Sequence, residues 1–259
     1  MRGIVGRMEP LRLSPSRIND FTNCPQLYQY RAIDQLPEPP SIEAERGKLI
    51  HGILEDLFEL PATDRTMESA TEILPKRWKQ ALTDNPELST LVQDEKEWLD
   101  RANALLTNYF SIEKPHTFES TYREHHLERN LSDALYLHGY VDRIDVAPTG
   151  EVRIVDYKTG KSPKPGWEEK ALFQLRVYAL LYWNNQGVLP SLLQLIYLGD
   201  SQVIRSATSE IQLQATERKL RQIGDEILSA IEERYFPPRK SKLCDWCFFK
   251  SICPAHQSK

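Results

Sequence analysis

No apolar run in the sequence approaches the ~18 residues of a membrane-spanning helix, and residues 1–13 hold basic side chains without a continuous apolar stretch of signal-peptide length. These two absences predict a soluble, cytoplasmic protein with no membrane partner. A dominant charge is also missing. The formal net charge is only -4, so nothing global advertises a polyanion partner, and any nucleic-acid contact has to be local. No internal repeat or low-complexity tract stands out, which argues against a repeat array. Cysteine is scarce: the four present, Cys24, Cys244, Cys247 and Cys253, read in a reducing compartment as metal or cluster ligands sooner than as disulfides. What the chain does have is 259 residues, 40% of them hydrophobic. That is enough to bury one substantial core, and a single domain over residues 1–259 is expected.

Ser14-Pro15-Ser16 has the form of a helix start, with Ser14 as N-cap and Pro15 at the first helical position, and predicts a helix running toward Tyr30. Leu49, Ile50, Ile53, Leu54, Leu57 and Phe58 recur at helical spacing and define one face, with His51 at its edge. Residues 64–114 combine charge with helical periodicity and read as a helical insertion carrying no visible chemistry. From about Thr117 the period falls toward two. Leu135, Leu137 and Val141 alternate with Tyr136, His138 and Tyr140, and Val152, Ile154 and Asp156 with Arg153 and Val155, as strands do. Residues 171–183 predict an apolar helix, 192–198 a strand and 211–235 a long charged helix with apolar positions Leu213, Leu220, Ile223, Ile227 and Ile231.

Pro148-Thr149-Gly150 separates two of these strands, and a three-residue hairpin loop ends in a residue of positive φ, for which glycine is the natural choice. Pairing Ala147 with Glu151 sets Val146 opposite Val152, Ile144 opposite Ile154 and Asp142 opposite Asp156. Facing carboxylates with Cβ atoms about 4.5–5.5 Å apart repel unless something positive lies between them, and a divalent cation meets that need. Lys158, two residues beyond Asp156, returns its ammonium to the same face. Two carboxylates and a lysine suit phosphodiester hydrolysis: oxygen ligands hold Mg²⁺ or Mn²⁺, and the lysine stabilises charge in the transition state. A bare D-x-K tripeptide is more often a solvated salt bridge. Here, though, both acids end apolar strand runs, and Gly139 and Gly160 flank the group.

Gly139-Tyr140-Val141-Asp142-Arg143-Ile144-Asp145 followed by Asp156-Tyr157-Lys158-Thr159-Gly160 resembles the paired catalytic motifs of the RecB-like branch of the PD-(D/E)XK nuclease superfamily. Gly47-Lys48-Leu49-Ile50-His51 resembles its upstream G-x-x-x-H motif, and Gln174-Leu175-Arg176-Val177-Tyr178 its downstream Q-x-x-x-Y motif. The resemblance spans Ser14 to Cys253 and implies a Mg²⁺- or Mn²⁺-dependent deoxyribonuclease. The metal would be held by His51, Asp142, Asp156 and the backbone carbonyl of Tyr157, with Lys158, Gln174 and Tyr178 completing the catalytic set. It implies an α/β, restriction-endonuclease-like core: a mixed, strongly bent central sheet flanked by helices, with the His51 helix before the hairpin and the Gln174 helix after it. Read from the residues alone, His51 is more often a hydrogen-bonded helix histidine, and Gln174 and Tyr178 are an i, i+4 pair of buried polar groups that need partners. Some family members carry a further acid on the strand before the hairpin, where this chain has Glu124; a solvated strand position is the plainer reading. Gly160-Lys161-Ser162 ends like a phosphate-binding loop, but that motif needs glycine where Val155 stands.

Cys244-Asp245-Trp246-Cys247 and Cys253-Pro254 form a C-x2-C-x5-C array whose thiolates can converge on one centre, and the remote Cys24-Pro25 is the candidate fourth ligand. The spacing suits tetrahedral zinc equally well. The pattern resembles RecB-like nucleases that carry a 4Fe-4S cluster, which implies a clamp joining the Cys24 region to the tail at 239–259. Lys158, Lys161, Lys164 and Lys170, together with Arg239, Lys240 and Lys242, offer a local phosphate track. Tyr28, Trp167, Trp246, Phe248 and Phe249 are candidates for stacking on unpaired bases or for the core. The expected function is an exonuclease acting on single-stranded DNA or duplex ends in repair or recombination, working alone or beside a helicase or integrase subunit. Rival readings are a CRISPR spacer-acquisition nuclease that trims DNA before integration and a non-catalytic DNA-binding scaffold. Intact Asp142, Asp156, Lys158 and Gln174 argue against the scaffold.

Overall fold

The computed structural model describes residues 9–257. Along the chain run β1 (Leu11–Leu13), α1 (Pro15–Asn23), α2 (Pro25–Tyr28), α3 (Ile42–Glu59), α4 (Met67–Asp84), α5 (Leu88–Leu91), α6 (Glu95–Ile112), β2 (Tyr122–Ser132), β3 (Leu135–Val146), β4 (Val152–Lys158), α7 (Glu169–Gln186), β5 (Leu192–Tyr197), β6 (Gln202–Ala207) and α8 (Glu210–Glu233). They fall into two compact units, residues 40–126 with 140–210, and residues 9–39 with 127–139 and 211–257. No helix among the described residues is long and apolar enough to cross a membrane.

The larger unit is built on a mixed sheet in which β4 pairs antiparallel with β3 and parallel with β5, and β5 pairs antiparallel with β6. The β3–β4 register is the expected one, with Val146 opposite Val152 and Ile144 opposite Ile154. Ala147 N–H donates to Glu151 O, and Gly150 closes the loop at φ 96°. Helices cover both faces. The apolar stripe of α3 is buried in full and shares a core with Leu74, Trp78, Leu106 and Tyr109 of α4 and α6 and with Val155, Tyr157, Ile196 and Leu198 of the sheet; α7 packs on β4 and β5. The strict alternation expected of β4 fails for this reason. Val155 and Tyr157 are as buried as Ile154 and Asp156, because a central strand between two helical layers has no solvent face. Gly187 ends α7 in the left-handed region at φ 71°.

In the smaller unit β1 runs parallel to the start of β3, Leu11 opposite Leu135 and Leu13 opposite Leu137. Helix α8 lies so close to that strand that a Cβ on Gly224 would meet Leu135 Cδ2 at 2.9 Å. Its buried face matches the expected one except at Ile231, which is exposed. The helix predicted from Ser14 toward Tyr30 starts as expected, the Ser14 hydroxyl accepting from Arg17 N–H, but breaks at Cys24 (φ -161°, ψ 109°). Proline at 25 disfavours helical dihedrals in the residue before it, so the chain kinks there and turns Cys24 out of the helix.

Candidate functional site

All the residues expected at the hairpin site lie in the larger unit. The regular β3–β4 ladder ends at Arg143–Val155. One step further, Asp142 accepts a hydrogen bond from Tyr157 N–H through Oδ2 at 2.7 Å, so its carboxylate enters the opening between the strands. Asp156 is buried beside it. Its Oδ1 accepts from Gln174 Nε2 at 3.0 Å, and its Oδ2 lies 2.6 Å from Lys158 Nζ in an ion pair that lacks hydrogen-bond geometry. Burial and the charge of Asp142 raise the Asp156 pKa against the pull of Lys158. For Lys158 burial works downward, and Asp156 outweighs it to give a net rise.

Gln174 answers the partner question posed by the i, i+4 pair on α7. Its carbonyl accepts from Lys158 Nζ at 3.2 Å, and its amide donates to Asp156 and, at 3.0 Å, to Tyr178 Oη. Burial, first, and the nearby carboxylates raise the Tyr178 pKa, so its hydroxyl keeps its proton at neutral pH.

From α3, His51 places Nε2 3.1 Å from the Tyr157 carbonyl and Nδ1 3.5 Å from Asp142 and 3.8 Å from Glu124. Burial disfavours the charged ring, but hydrogen bonds to Asp142 and Glu124 with the charges of Asp142 and Asp156 carry its pKa up to about 10. Donor atoms of His51, Glu124 and Asp142 all lie within 4.8 Å of one another, a spacing that one cation can bridge. Glu124, a third exposed, thus stands with His51 and Asp142 on the site. Its backbone sits at φ 41°, a left-handed conformation that costs a non-glycine residue about 1–2 kcal/mol. Such a residue interrupts strand alternation and re-aims a side chain as a bulge does. No period-two reading of the sequence could have shown it.

Sequence reasoning also missed what lies behind the site. Arg143, 1% exposed, donates from Nη1 and Nη2 to Glu113 at 2.7 and 2.9 Å, from Nε to Asp145 at 3.2 Å, and to Tyr157 Oη, while Phe58 and Phe118 face its guanidinium. Arg153 pairs with Asp145 at 2.7 Å, and Gln194 donates to Glu113 at 3.2 Å. Tyr157 is therefore held twice: its ring and hydroxyl by this cluster, its peptide by Asp142 and His51. Glu113 caps α6, so the helical segment 64–114 supplies the main counter-charge beneath the site.

In the smaller unit Cys24, Cys244, Cys247 and Cys253 line one recess of about 530 Å³, its open mouth included. All four are free thiols. Backbone N–H groups of Arg239 and Ser241 point at Cys24 Sγ (3.3 Å) and Cys244 Sγ (3.4 Å). Burial, first, and the neighbouring cysteines raise the Cys247 pKa. Tyr30 closes one side, donating to Ile252 O at 3.3 Å and packing on Phe249 at 5.0 Å. Of the stacking candidates, Tyr28 and Phe249 are core residues, while Trp167, Trp246 and Phe248 are exposed. Arg239 is engaged locally, its guanidinium donating to Thr22 O. The loop bearing Lys161 and Lys164 is anchored by Ser162, whose N–H and hydroxyl both donate to Asp200 Oδ2 (3.0 and 2.7 Å).

With this geometry in hand, the comparisons are consistent. The sequence model of the family described as the PD-(D/E)XK nuclease superfamily matches residues 12–254. Gene 69 protein of Mycobacterium phage D29 is 28% identical over 202 residues, covering 69% of this chain and 71% of that protein. Among solved structures, a "putative exonuclease" from Eubacterium rectale superposes with a TM-score of 0.59 at 14% identity, covering 91% of this chain and 86% of that one. That likeness bears on the fold alone.

Proposed function

The chain belongs to the PD-(D/E)XK nuclease superfamily, and from that premise we propose that it is a divalent-metal-dependent DNA nuclease of the RecB-like branch, working as an exonuclease on single-stranded DNA or DNA ends in repair or recombination. In this reading the whole of 1–259 serves one activity. The observation that carries it is the convergence of His51, Glu124 and Asp142 beside the Asp156–Lys158–Gln174 group.

The donor set fits the metal this family uses. It is rich in carboxylate oxygen with a single imidazole, which suits Mg²⁺ or Mn²⁺; among the described residues buried Asp156 Oδ2 meets the Lys158 ammonium in an ion pair without hydrogen-bond geometry. Asp142, Asp156, His51 and the Tyr157 carbonyl would hold the ion, with Glu124 alongside. When bound, such an ion supplies Lewis acidity to water and to the phosphate. The chain's own residues do the rest. Gln174 fixes Lys158 so that its ammonium faces charge developing on the phosphate oxygens. Tyr178, protonated and accepting from Gln174, offers its hydroxyl proton to a phosphate oxygen. The Tyr157 peptide keeps Asp142 and His51 in register with one another.

For the cysteines we favour a 4Fe-4S cluster over zinc. The remote Cys24 joined to a C-terminal C-x2-C-x5-C array resembles the pattern of RecB-like nucleases that carry such a cluster, and the two N–H···S contacts suit thiolate ligands. The cluster would tie the kink at Cys24 to the tail at 239–259.

Anaerobic purification, with iron and sulfide quantified and end-labelled single-stranded DNA incubated with Mn²⁺ or Mg²⁺, tests both parts. The expected result is a brown protein that shortens the strand until a chelator is added. A colourless, zinc-bearing protein would replace the cluster, and metal-independent cleavage would remove the hairpin chemistry.

A further inference from the structure

Strand β3 turns Tyr140 and Asp142 to the same face, two residues and therefore about 6.6 Å apart along the strand. Gly139 and Val141, on the opposite face, are buried, yet Tyr140 is 57% exposed. Its ring lies against His126 of β2, centroids 4.7 Å apart and planes inclined by 34°. His126 follows the left-handed Glu124 by two residues, so the backbone distortion at Glu124, which stands by His51, lies two residues before the one on which Tyr140 rests. The result is an aromatic shelf beside the carboxylates, open to solvent on the side away from the core.

A base inside a duplex has both faces covered by its neighbours, so only an unpaired or extruded base can lay a face on such a shelf. We propose that Tyr140, backed by His126, is a stacking subsite for the unpaired base of the nucleotide adjoining the phosphate held at Asp142. The shelf makes Tyr140 a determinant of preference for single strands and frayed ends. This inference rests on the nuclease reading above and names the feature of the substrate that the same site selects.

Its test uses the full-length protein and 5′-labelled oligodeoxynucleotides, each with one abasic nucleotide at one of the last positions before the cleaved bond. With wild type, removing the base at one position lowers kcat/KM by about 5- to 150-fold, the range for one base stacked on one aromatic ring. Tyr140→Ala lowers kcat/KM on the intact strand by a comparable factor and loses most of its sensitivity to the missing base, whereas Tyr140→Trp keeps it. Fluorescence anisotropy with the same strands in Ca²⁺ shows the same pattern in Kd. If wild type cleaves well but no abasic position matters, or if Tyr140→Ala stays fully sensitive, the subsite is refuted and the nuclease reading stands. If wild type cleaves none of the strands with Mn²⁺ or Mg²⁺, the nuclease reading itself fails and takes the subsite with it.

Discussion

Glu113→Gln is the substitution whose consequence follows most directly from the structure. Glu113 and Arg143 are both almost fully buried and joined by two hydrogen bonds of 2.7 and 2.9 Å. The change keeps volume and shape but removes the main counter-charge of a guanidinium that has no route to water; Asp145, shared with Arg153, is left to balance it. Breaking one partner of a buried pair costs about 3–5 kcal/mol because the other charge stays behind. In a chain of this size that lowers the melting temperature by roughly 6–20 °C. The effect depends on pH. Burial pushes the Glu113 pKa up, but Arg143 and Arg153 outweigh it and the net shift is downward. A depressed folded-state pKa gives stability that is present above the unfolded value near 4.5 and lost as pH falls through the folded one. The gap between wild type and variant should therefore be full at pH 7 and close on acidification below about pH 4. Urea unfolding followed by circular dichroism at several pH values reads it, with Glu151→Gln on the surface as the control. A loss no larger than the control's, or one independent of pH, would refute the reasoning. Replacing both partners, Glu113→Leu with Arg143→Met, should recover much of the loss.

Three further outcomes follow from the site. In the metal-free protein the proton on His51 is held up to a pKa of about 10, so binding a cation has to expel it. Mn²⁺ affinity measured by calorimetry should rise by about tenfold per pH unit between pH 6 and 9, and a flat profile would mean that His51 does not ligate. Glu124→Gln should weaken Mn²⁺ binding about 10- to 100-fold, the loss expected when a carboxylate orienting a ligating histidine is removed; unchanged affinity would return Glu124 to the solvated reading. Cys24→Ser should lose most of its iron and sulfide and melt earlier in the smaller unit, as read by metal analysis and limited proteolysis. Retention of a full complement would exclude Cys24 as the remote ligand.

The hairpin was legible because its information is local. A three-residue loop ending in Gly150 fixes one register, and just beyond the last pair of that ladder, Arg143–Val155, Asp142 comes beside Asp156. The stripes of α3 and α8 were legible for the same reason, since periodicity records which face is buried. The short strand β1 and the strand β6 were not expected, being too brief or too polar to carry a period. Glu124 was named only through the family resemblance and otherwise read as solvated, because a left-handed residue inside a strand breaks the alternation that strand reading relies on. The Arg143 cluster escaped because charges in sequence look solvated: Glu113, Arg143, Asp145 and Arg153 meet only after α6 folds onto the sheet. The kink at Cys24 was written in Pro25, and helical periodicity masked it.

The most direct test of the account compares single-turnover cleavage of an end-labelled single strand by wild type and Asp156→Ala, at saturating Mn²⁺ and with matched folding shown by circular dichroism. Strand shortening is expected for wild type, and a rate indistinguishable from uncatalysed hydrolysis for the variant. Equal rates would place the chemistry elsewhere in the molecule and contradict the assignment of the β3–β4 hairpin as the catalytic centre.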